Sequence, residues 1–302
     1  MSRSLYFDYM ASTPVHPEVR EVMSRYLSDA YSANPHSTHH QGSLCRQVID
    51  DLTAQMLAHL GAKSGDLIWT SGATESINLA LLGAAEQYQY AGKHIISVVT
   101  EHSATLESLN ELAKRGFEIT LLPVDTHGLL DLNLLRDALR SDTILVTLMH
   151  VHNEIGTIQD IDGVSTICAE QGVLLHVDYA QTIGKIPFTL HKGVSFASFS
   201  AHKCYGPNGI GALFISNRRH LKRQLHGGSQ QHKRRAGTLP LFLIAGFVKA
   251  VELSQIHISQ EVNRYSHFQQ YALNNLSSSI VLNGSVKHRA PQNLHILLPE
   301  SV

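Results

Sequence analysis

The chain has 302 residues, of which 43% are hydrophobic and 16% are charged, and its formal net charge is −1 at pH 7. This composition is that of a globular protein and excludes a disordered, collagen-like or low-complexity chain. The near-neutral charge provides no field that would recruit nucleic acid or an anionic membrane. The longest apolar stretch, which begins at Leu239, is interrupted by Lys249 and falls short of a membrane span.

The termini and the cysteines point to the interior of a cell. The first ten residues lack the apolar core of a secretory signal. Three cysteines (Cys45, Cys168 and Cys204) are too few and too scattered for a disulfide framework. We therefore expect a soluble cytoplasmic protein with no membrane or nucleic-acid partner.

Seven short apolar runs between residues 66 and 216 predict the strands of a mainly parallel sheet. They alternate with amphipathic stretches, a pattern typical of a sheet covered by helices on both faces. A turn rich in Gly, Pro and Asn joins the last two runs and predicts a hairpin. After Leu239 the pattern predicts one helix to about Ser254, a second to about Leu276, and two short strands. The seven runs are LIWT, HIISVVT, EITLLPV, TILVTLMHV, VLLHVD, FASFSA and GALFIS.

Three elements of this pattern could carry chemistry. Residues 71–75 (SGATE) follow a predicted strand and open a helix, so their backbone N–H groups could cradle a phosphate. Ordinary capping by Ser71 is the other interpretation. Asp178 stands at the end of a buried strand, where open α/β sheets bind ligands, although a turn or cap aspartate also fits. Lys203 is a candidate Schiff-base amine or a simple surface lysine.

The combination is more informative than its parts. A phosphate cradle, an acid at a strand end and a lysine in a hairpin are what pyridoxal phosphate requires. The lysine holds the cofactor aldehyde as an imine, and the acid keeps the ring nitrogen protonated so that the ring accepts electrons. Ser200 and His202, beside Lys203, could add donors to the phosphate.

Motifs from Tyr6 to the last residue resemble those of the class V aminotransferase family, and most closely its cysteine desulfurases of iron–sulfur cluster assembly. The resemblance implies an α/β protein of the type I pyridoxal-phosphate-dependent transferase fold with an incomplete small C-terminal α+β domain. It implies a large cofactor-binding domain over residues 14–255 and a partial small domain from residues 1–13 and 256–302. The motifs, in family order, are LYFDYMASTPVHPEV, ANPHSTHHQG, TSGATES, TEHSATL, MHVHNEIG, HVDYAQTIGK, SFSAHKCYGPNGIGAL and HGGSQQHKRRAGTLP.

The resemblance also implies a role for each matched residue. Lys203 would carry the cofactor, and His102 would stack on its ring and take part in proton transfers. Asn34 and Asn153 would lie near the substrate carboxylate and the ring. The remaining cofactor-binding residues would be Ala73, Thr74, Ser200 and His202 at the phosphate, Asp178 at the ring nitrogen, Gln181 at the ring hydroxyl, and Thr238 at the phosphate of the neighbouring subunit of a homodimer.

The implied activity is a pyridoxal-phosphate-dependent cysteine desulfurase that converts L-cysteine to L-alanine and passes sulfur to an acceptor or scaffold protein. Family members continue past the position that matches Val302 and carry there a persulfide-forming cysteine loop and a substrate-binding arginine. We therefore expect this chain to be truncated and its sulfur step impaired. Another pyridoxal-phosphate-dependent lyase or aminotransferase, and a non-catalytic dimerisation partner of a full-length relative, are the alternatives.

Two further expectations concern Cys204, as a possible substitute for the missing cysteine, and the histidines, as possible metal ligands. Neighbours in an extended segment face opposite sides, so Cys204 is expected to point away from the cofactor side of Lys203. The twenty histidines show no spacing typical of a zinc site, and we expect no metal. In the loop before Thr238, His232 and Lys233 replace an arginine and a glycine of the family pattern.

Overall fold

The computed structural model describes residues 5–217, 219–277 and 280–298. A seven-stranded sheet with the order β1-β7-β6-β5-β4-β2-β3 forms its centre. The four pairs from β6 through β5, β4 and β2 to β3 are parallel, whereas β7 is antiparallel to both β6 and β1. The mainly parallel sheet and the hairpin are therefore confirmed. The strands are β1 (Asp66–Thr70), β2 (His94–Val98), β3 (Glu118–Leu122), β4 (Thr143–Met149), β5 (Leu174–Asp178), β6 (Phe196–Ser200) and β7 (Gly211–Ile215).

Helices cover both faces of this sheet, as the sequence predicts. Successive strand residues point to opposite faces, so Phe196 packs with helices α3 and α4 while Ala197 packs with helices of the other face. The two apolar clusters that result bury most large side chains. The helices are α1 (Pro17–Arg25), α2 (His40–His59), α3 (Ala73–Tyr88), α4 (Ser103–Lys114), α5 (Leu132–Ala138), α6 (Ile161–Glu170), the one-turn α7 (Gln230–Lys233) and α8 (Leu241–Asn275).

Helix α8 corrects one prediction. The two helices expected after Leu239 form a single helix of 35 residues. No glycine or proline interrupts the backbone near Ser254, and the hydroxyl of Ser254 donates to the carbonyl of Val251 (2.7 Å) instead of capping a new helix.

The two halves of α8 have different surroundings. Ile244, Phe247 and Val251 in its first half are buried in the core, whereas Phe268 and Tyr271 in its second half are 54% and 65% exposed. By length and composition alone α8 could cross a membrane, which the sequence analysis did not expect. A buried first half is what a core helix shows.

A small second sheet follows α8. Strands β8 (Val281–Leu282) and β9 (Ile296–Leu297) pair in antiparallel fashion, as the two strand-like runs predict. The segment between them is attached to the loop that follows β4, because Asn293 donates to the carbonyl of Glu154 (2.6 Å) and Arg289 bridges to Thr157. Helix α8 runs through residue 255 without a break, and the division of the chain at that residue stays a prediction.

Candidate active site

A cavity of about 760 Å³ lies at the carboxyl edge of the main sheet. Strands β1, β2, β4, β5 and β6 all end there, and the residues that follow each strand line the cavity, as in other open α/β sheets. The cavity brings together the three elements that the sequence analysis singled out. These are residues 71–75, Asp178 and Lys203.

The N-terminus of helix α3 forms one end of the cavity. The helix begins at Ala73 with Gly72 as its N-cap residue, so capping by Ser71 is not observed, and the Ser71 N–H donates to the Glu75 carboxylate (2.7 Å). Gly211 of β7 packs directly on Gly72: a Cβ at Gly211 would lie 2.6 Å from the Gly72 Cα. A side chain there would displace the start of the helix. The first N–H groups of a helix have no acceptor within the helix, and together with the helix dipole they make this end attractive to an anion.

Asp178 lies on the floor of the cavity and is 8% exposed. Its Oδ1 accepts a hydrogen bond from the N–H of Ala180 (2.8 Å). Burial raises the pKa of Asp178 above its ordinary value, and the opposing effects of Lys203, the Ala180 N–H and His102 do not cancel that rise. A carboxylate in such a place is stabilised by a cationic partner.

Lys203 ends a short 3-10 turn, Ala201–Lys203, between strands β6 and β7. The predicted extended geometry at Lys203 and Cys204 is wrong, since the turn replaces it. Cys204 nevertheless stays out of this cavity, with its Sγ 3.3 Å from the carbonyl oxygen of Ala201. His202 lines the cavity, and its Nδ1 lies 3.2 Å from the Ser12 hydroxyl. Burial, and then the charges of Lys203 and Lys185, lower the pKa of His202.

His102 is fixed by the start of helix α4. Its Nδ1 accepts a hydrogen bond from the N–H of Ala104 (3.1 Å), so the proton of the neutral imidazole belongs on Nε2. Burial, followed by the charge of Lys203, lowers the pKa of His102. The lowered pKa favours the neutral ring, which presents an N–H donor at Nε2.

Comparison with known proteins shows to which family the chain belongs. The profile of the family "Aminotransferase class-V" matches residues 5–297. The chain belongs to the class V aminotransferase family. It is 42% identical over 299 residues to "Cysteine desulfurase IscS" of Dictyoglomus turgidum, which covers 98% of this chain and 76% of that relative. The chain is thus a cysteine desulfurase-like member of the family.

Solved structures share the fold of this chain. A "NifS-like protein" superposes with a TM-score of 0.91 at 34% identity and covers 95% of this chain and 80% of its own. "SspA in complex with cysteine" superposes with a TM-score of 0.79 at 34% identity and covers 87% of this chain and 78% of its own. The predicted α/β fold of the pyridoxal-phosphate-dependent type is confirmed.

Nine of the eleven residues to which the family resemblance gives a role line the one cavity. Asn34 and Thr238 do not line it, and both are exposed. The Oδ1 of Asn34 instead accepts from the N–H of His36 (2.9 Å). The expected role of Thr238 requires a neighbouring subunit, so both assignments stay predictions. The nine are Ala73, Thr74, His102, Asn153, Asp178, Gln181, Ser200, His202 and Lys203.

Lys185, which ends the motif HVDYAQTIGK, does not line the cavity but holds Gln181, a contact that sequence reasoning missed. Its Nζ donates to Oε1 of Gln181 (2.6 Å) and to the carbonyl of Tyr9 (3.1 Å), and Nε2 of Gln181 donates to the carbonyl of Met10 (2.8 Å). Lys185 therefore fixes which end of the Gln181 amide donates. Burial, and then the charge of Lys203, lower the pKa of Lys185 to about 7.

Two other contributions to the cavity come from distant parts of the chain. Arg235 forms two hydrogen bonds to the carboxylate of Glu75 (2.8 and 3.2 Å) and so attaches the loop before Thr238 to the start of α3. Residues 292–295, which lie between the two strands of the small second sheet, also line the cavity. Within residues 5–217, 219–277 and 280–298, no three His, Cys, Asp or Glu side chains are grouped as metal ligands would be.

Proposed function

We propose that this chain binds pyridoxal 5'-phosphate in the cavity and acts on L-cysteine as a pyridoxal-phosphate-dependent cysteine desulfurase. One observation carries the proposal: Lys203, the buried Asp178 and the open N-terminus of α3 line the same cavity. The relatives named cysteine desulfurase and the solved relative in complex with cysteine support the choice of substrate.

The side chains of the cavity fit the cofactor. The N-terminus of α3 with Ala73 and Thr74 would hold the phosphate, since backbone N–H groups and the helix dipole favour an anion. Ser200 and His202 would add donors to it, and Thr238 of a second subunit would complete the phosphate site in a homodimer. Asp178 would hold the ring nitrogen. The amide of Gln181, oriented by Lys185, would donate to the ring hydroxyl.

When bound, the cofactor supplies an electron sink for bond cleavage next to the substrate amino group. The chain's own groups then bind the substrate and move protons. Lys203 would hold the cofactor through Nζ and, once released by substrate, carry a proton at that atom. His102 would stack on the ring and present the proton on Nε2. Asn34 and Asn153 would lie near the substrate.

The cysteines of the chain do not fit the role of sulfur acceptor. Cys45, Cys168 and Cys204 are all buried, and none lines the cavity. Burial raises the pKa of Cys168 to about 12, and burial, against the charge of Lys185, raises that of Cys204 to about 12. A thiol of that kind is a poor nucleophile. We therefore place the sulfur-accepting thiol outside residues 1–302.

The visible absorption spectrum tests the proposal. The purified protein with added pyridoxal phosphate is expected to show an imine band that shifts on addition of L-cysteine. Lys203→Ala removes the band, and Lys192→Ala, at an exposed lysine, keeps it. L-Alanine and sulfide are then measured separately with dithiothreitol as external thiol.

The outcomes separate the alternatives. Ammonia or a keto acid in place of sulfide would favour a different lyase or an aminotransferase. A colourless protein that remains dimeric would favour a non-catalytic partner. The absence of a band in the unchanged protein would contradict the proposed function.

A further inference from the structure

Glu101 carries a buried carboxyl group that the proposed function does not use. The residue lies between strand β2 and helix α4 and is 6% exposed. Its Oε1 accepts a hydrogen bond from the N–H of Met149 at the end of β4 (2.6 Å). Its Oε2 is buried and has no hydrogen-bond partner in the part of the chain that the structure describes. A buried carboxylate with an unpaired oxygen is costly, so this group requires an explanation.

The contacts of Glu101 reach two residues that line the cavity. Met149, which donates to Glu101, is the register partner of Asp178 in the parallel pair of β4 and β5. His102, the next residue along the chain, is the N-cap residue of α4. The N–H of Glu101 donates to the carbonyl of Val98, the last residue of β2 (3.4 Å). Glu101 itself does not line the cavity, so it lies behind Asp178 and His102 and joins the segment after β2 to the end of β4.

Glu101 and Asp178 are buried carboxyl groups that interact, and ionisation of one opposes ionisation of the other. Burial raises the pKa of both, but the charge of Lys203 and the N–H of Ala180 favour the charged form of Asp178. Burial, against the N–H of Met149, raises the pKa of Glu101 to about 8, and the charge of Asp178 adds to the rise. Of the two groups, Glu101 therefore holds the proton and Asp178 holds the charge.

The neutral form of Glu101 also has an acceptor for its proton. The hydroxyl of Thr105, in the first turn of α4, is close enough to influence the Glu101 carboxyl group. Its Oγ1 is buried and, like Oε2 of Glu101, has no hydrogen-bond partner among the described residues. A protonated Oε2 can donate to this hydroxyl, which pairs both atoms.

We propose that Glu101 is a positioning residue of the cofactor site: its neutral carboxyl group joins the segment after β2 to the end of β4 and leaves Asp178 as the carboxylate that meets the ring nitrogen. The proposal rests on the proposed function, because Asp178 meets a ring nitrogen only if pyridoxal phosphate occupies the cavity. An amide can replace a neutral carboxyl group in this role, whereas an apolar side chain of similar size cannot.

Infrared spectroscopy of the purified chain tests the protonation state without added cofactor. Well below about pH 8, we expect the C=O stretch of a buried protonated carboxyl group, which is lost as the pH rises through that value. Glu101→Gln should remove this signal. Glu107→Gln, at an exposed glutamate of the same helix α4, is the matched control and should keep it. A signal that Glu101→Gln leaves unchanged would show that Glu101 is a carboxylate and overturn the proposal.

Cofactor binding provides the second readout. Dissociation constants are measured from the absorption band for pyridoxal phosphate and for an analogue in which carbon replaces the ring nitrogen. Glu101→Leu is expected to weaken pyridoxal phosphate binding by about 10-fold, the size of one lost buried hydrogen bond, and analogue binding by less than about 2-fold. Glu101→Gln should leave both unchanged. If Glu101→Leu does not fold, Glu101→Asp takes its place, because its side chain is one methylene too short to reach Met149.

The remaining outcomes are decisive. Equal losses for the cofactor and the analogue would show a purely structural residue and overturn the proposal. A loss in Glu101→Gln as large as in Glu101→Leu would also overturn it, because a charged carboxylate would then be required. Absence of the absorption band in the unchanged protein would instead contradict the proposed function, and the infrared signal would still decide whether Glu101 is neutral.

Discussion

Replacement of Arg235 by methionine would remove an ion pair at the start of helix α3. Arg235 and Glu75 form two hydrogen bonds (2.8 and 3.2 Å), and their side chains are 16% and 24% exposed. The Glu75 carboxylate also accepts from the N–H of Ser71 (2.7 Å). The variant leaves that carboxylate partly buried at the start of α3 without its cation.

The expected loss in free energy of unfolding follows from how far the pair is buried. Exposed pairs contribute 0–1 kcal/mol, and loss of one partner of a fully buried pair costs about 3–5 kcal/mol. The Arg235–Glu75 pair lies between these limits, so we expect Arg235→Met to lower the free energy of unfolding by about 2 kcal/mol at pH 7.

The loss should depend on pH. Burial raises the pKa of Glu75, but the hydrogen bonds from Arg235 and Ser71 outweigh that effect and hold it below its ordinary value. A carboxyl group with a lowered pKa stabilises the native state above its unfolded pKa, and this contribution is lost as pH falls through the folded pKa. The difference in free energy of unfolding between the variant and the unchanged protein should therefore disappear below about pH 4.

Urea denaturation of both proteins between pH 7 and about pH 3 measures the effect. Arg234→Met is a matched control, because the adjacent Arg234 pairs with Asp66, whose side chain is 54% exposed. Arg234→Met should lower the free energy of unfolding by less than about 1 kcal/mol. Equal losses for the two arginines, or a loss for Arg235→Met that does not change with pH, would refute the reasoning.

Three further variants test other features. Lys233 has a φ of +63°, which favours glycine, so Lys233→Gly should raise the free energy of unfolding by about 1 kcal/mol in urea; a decrease would contradict this. Burial raises the pKa of Glu101 to about 8, so native stability falls as pH rises from about 4 to 8, and Glu101→Gln should flatten that fall in the same assay. Lys185→Met should speed chymotrypsin cleavage near Tyr9 several-fold, whereas Lys192→Met should not.

The strands that end at the cavity and the start of helix α3 could be predicted, because each depends on residues that are close together in the sequence. Each strand that ends at the cavity is a short apolar run, and Asp178 follows such a run directly. The start of α3 is signalled by small residues after strand β1. Because the carboxyl ends of parallel strands meet at one edge, these local signals were sufficient to bring Asp178, Lys203 and residues 71–75 together.

Other features depend on contacts between distant residues and leave no local pattern. The amide of Gln231 pairs with both backbone groups of Trp69 (2.7 and 2.9 Å) and covers an edge strand, although the two residues are 162 positions apart. The contact of Lys185 with Tyr9 spans 176 positions. Helix α8 was divided wrongly for the opposite reason, since a serine is compatible with both a cap and a helix interior.

The same contrast separates the two sides of the cavity. On the side where we propose that the cofactor binds, the lining consists of strand ends and one helix start, and the sequence pattern marks each of them. Residues 292–295 reach the cavity through long-range hydrogen bonds such as that from Asn293 to Glu154, and no local pattern marks them. A cofactor site of this kind can serve many reactions, so we expect the residues that select a substrate to lie in the second group.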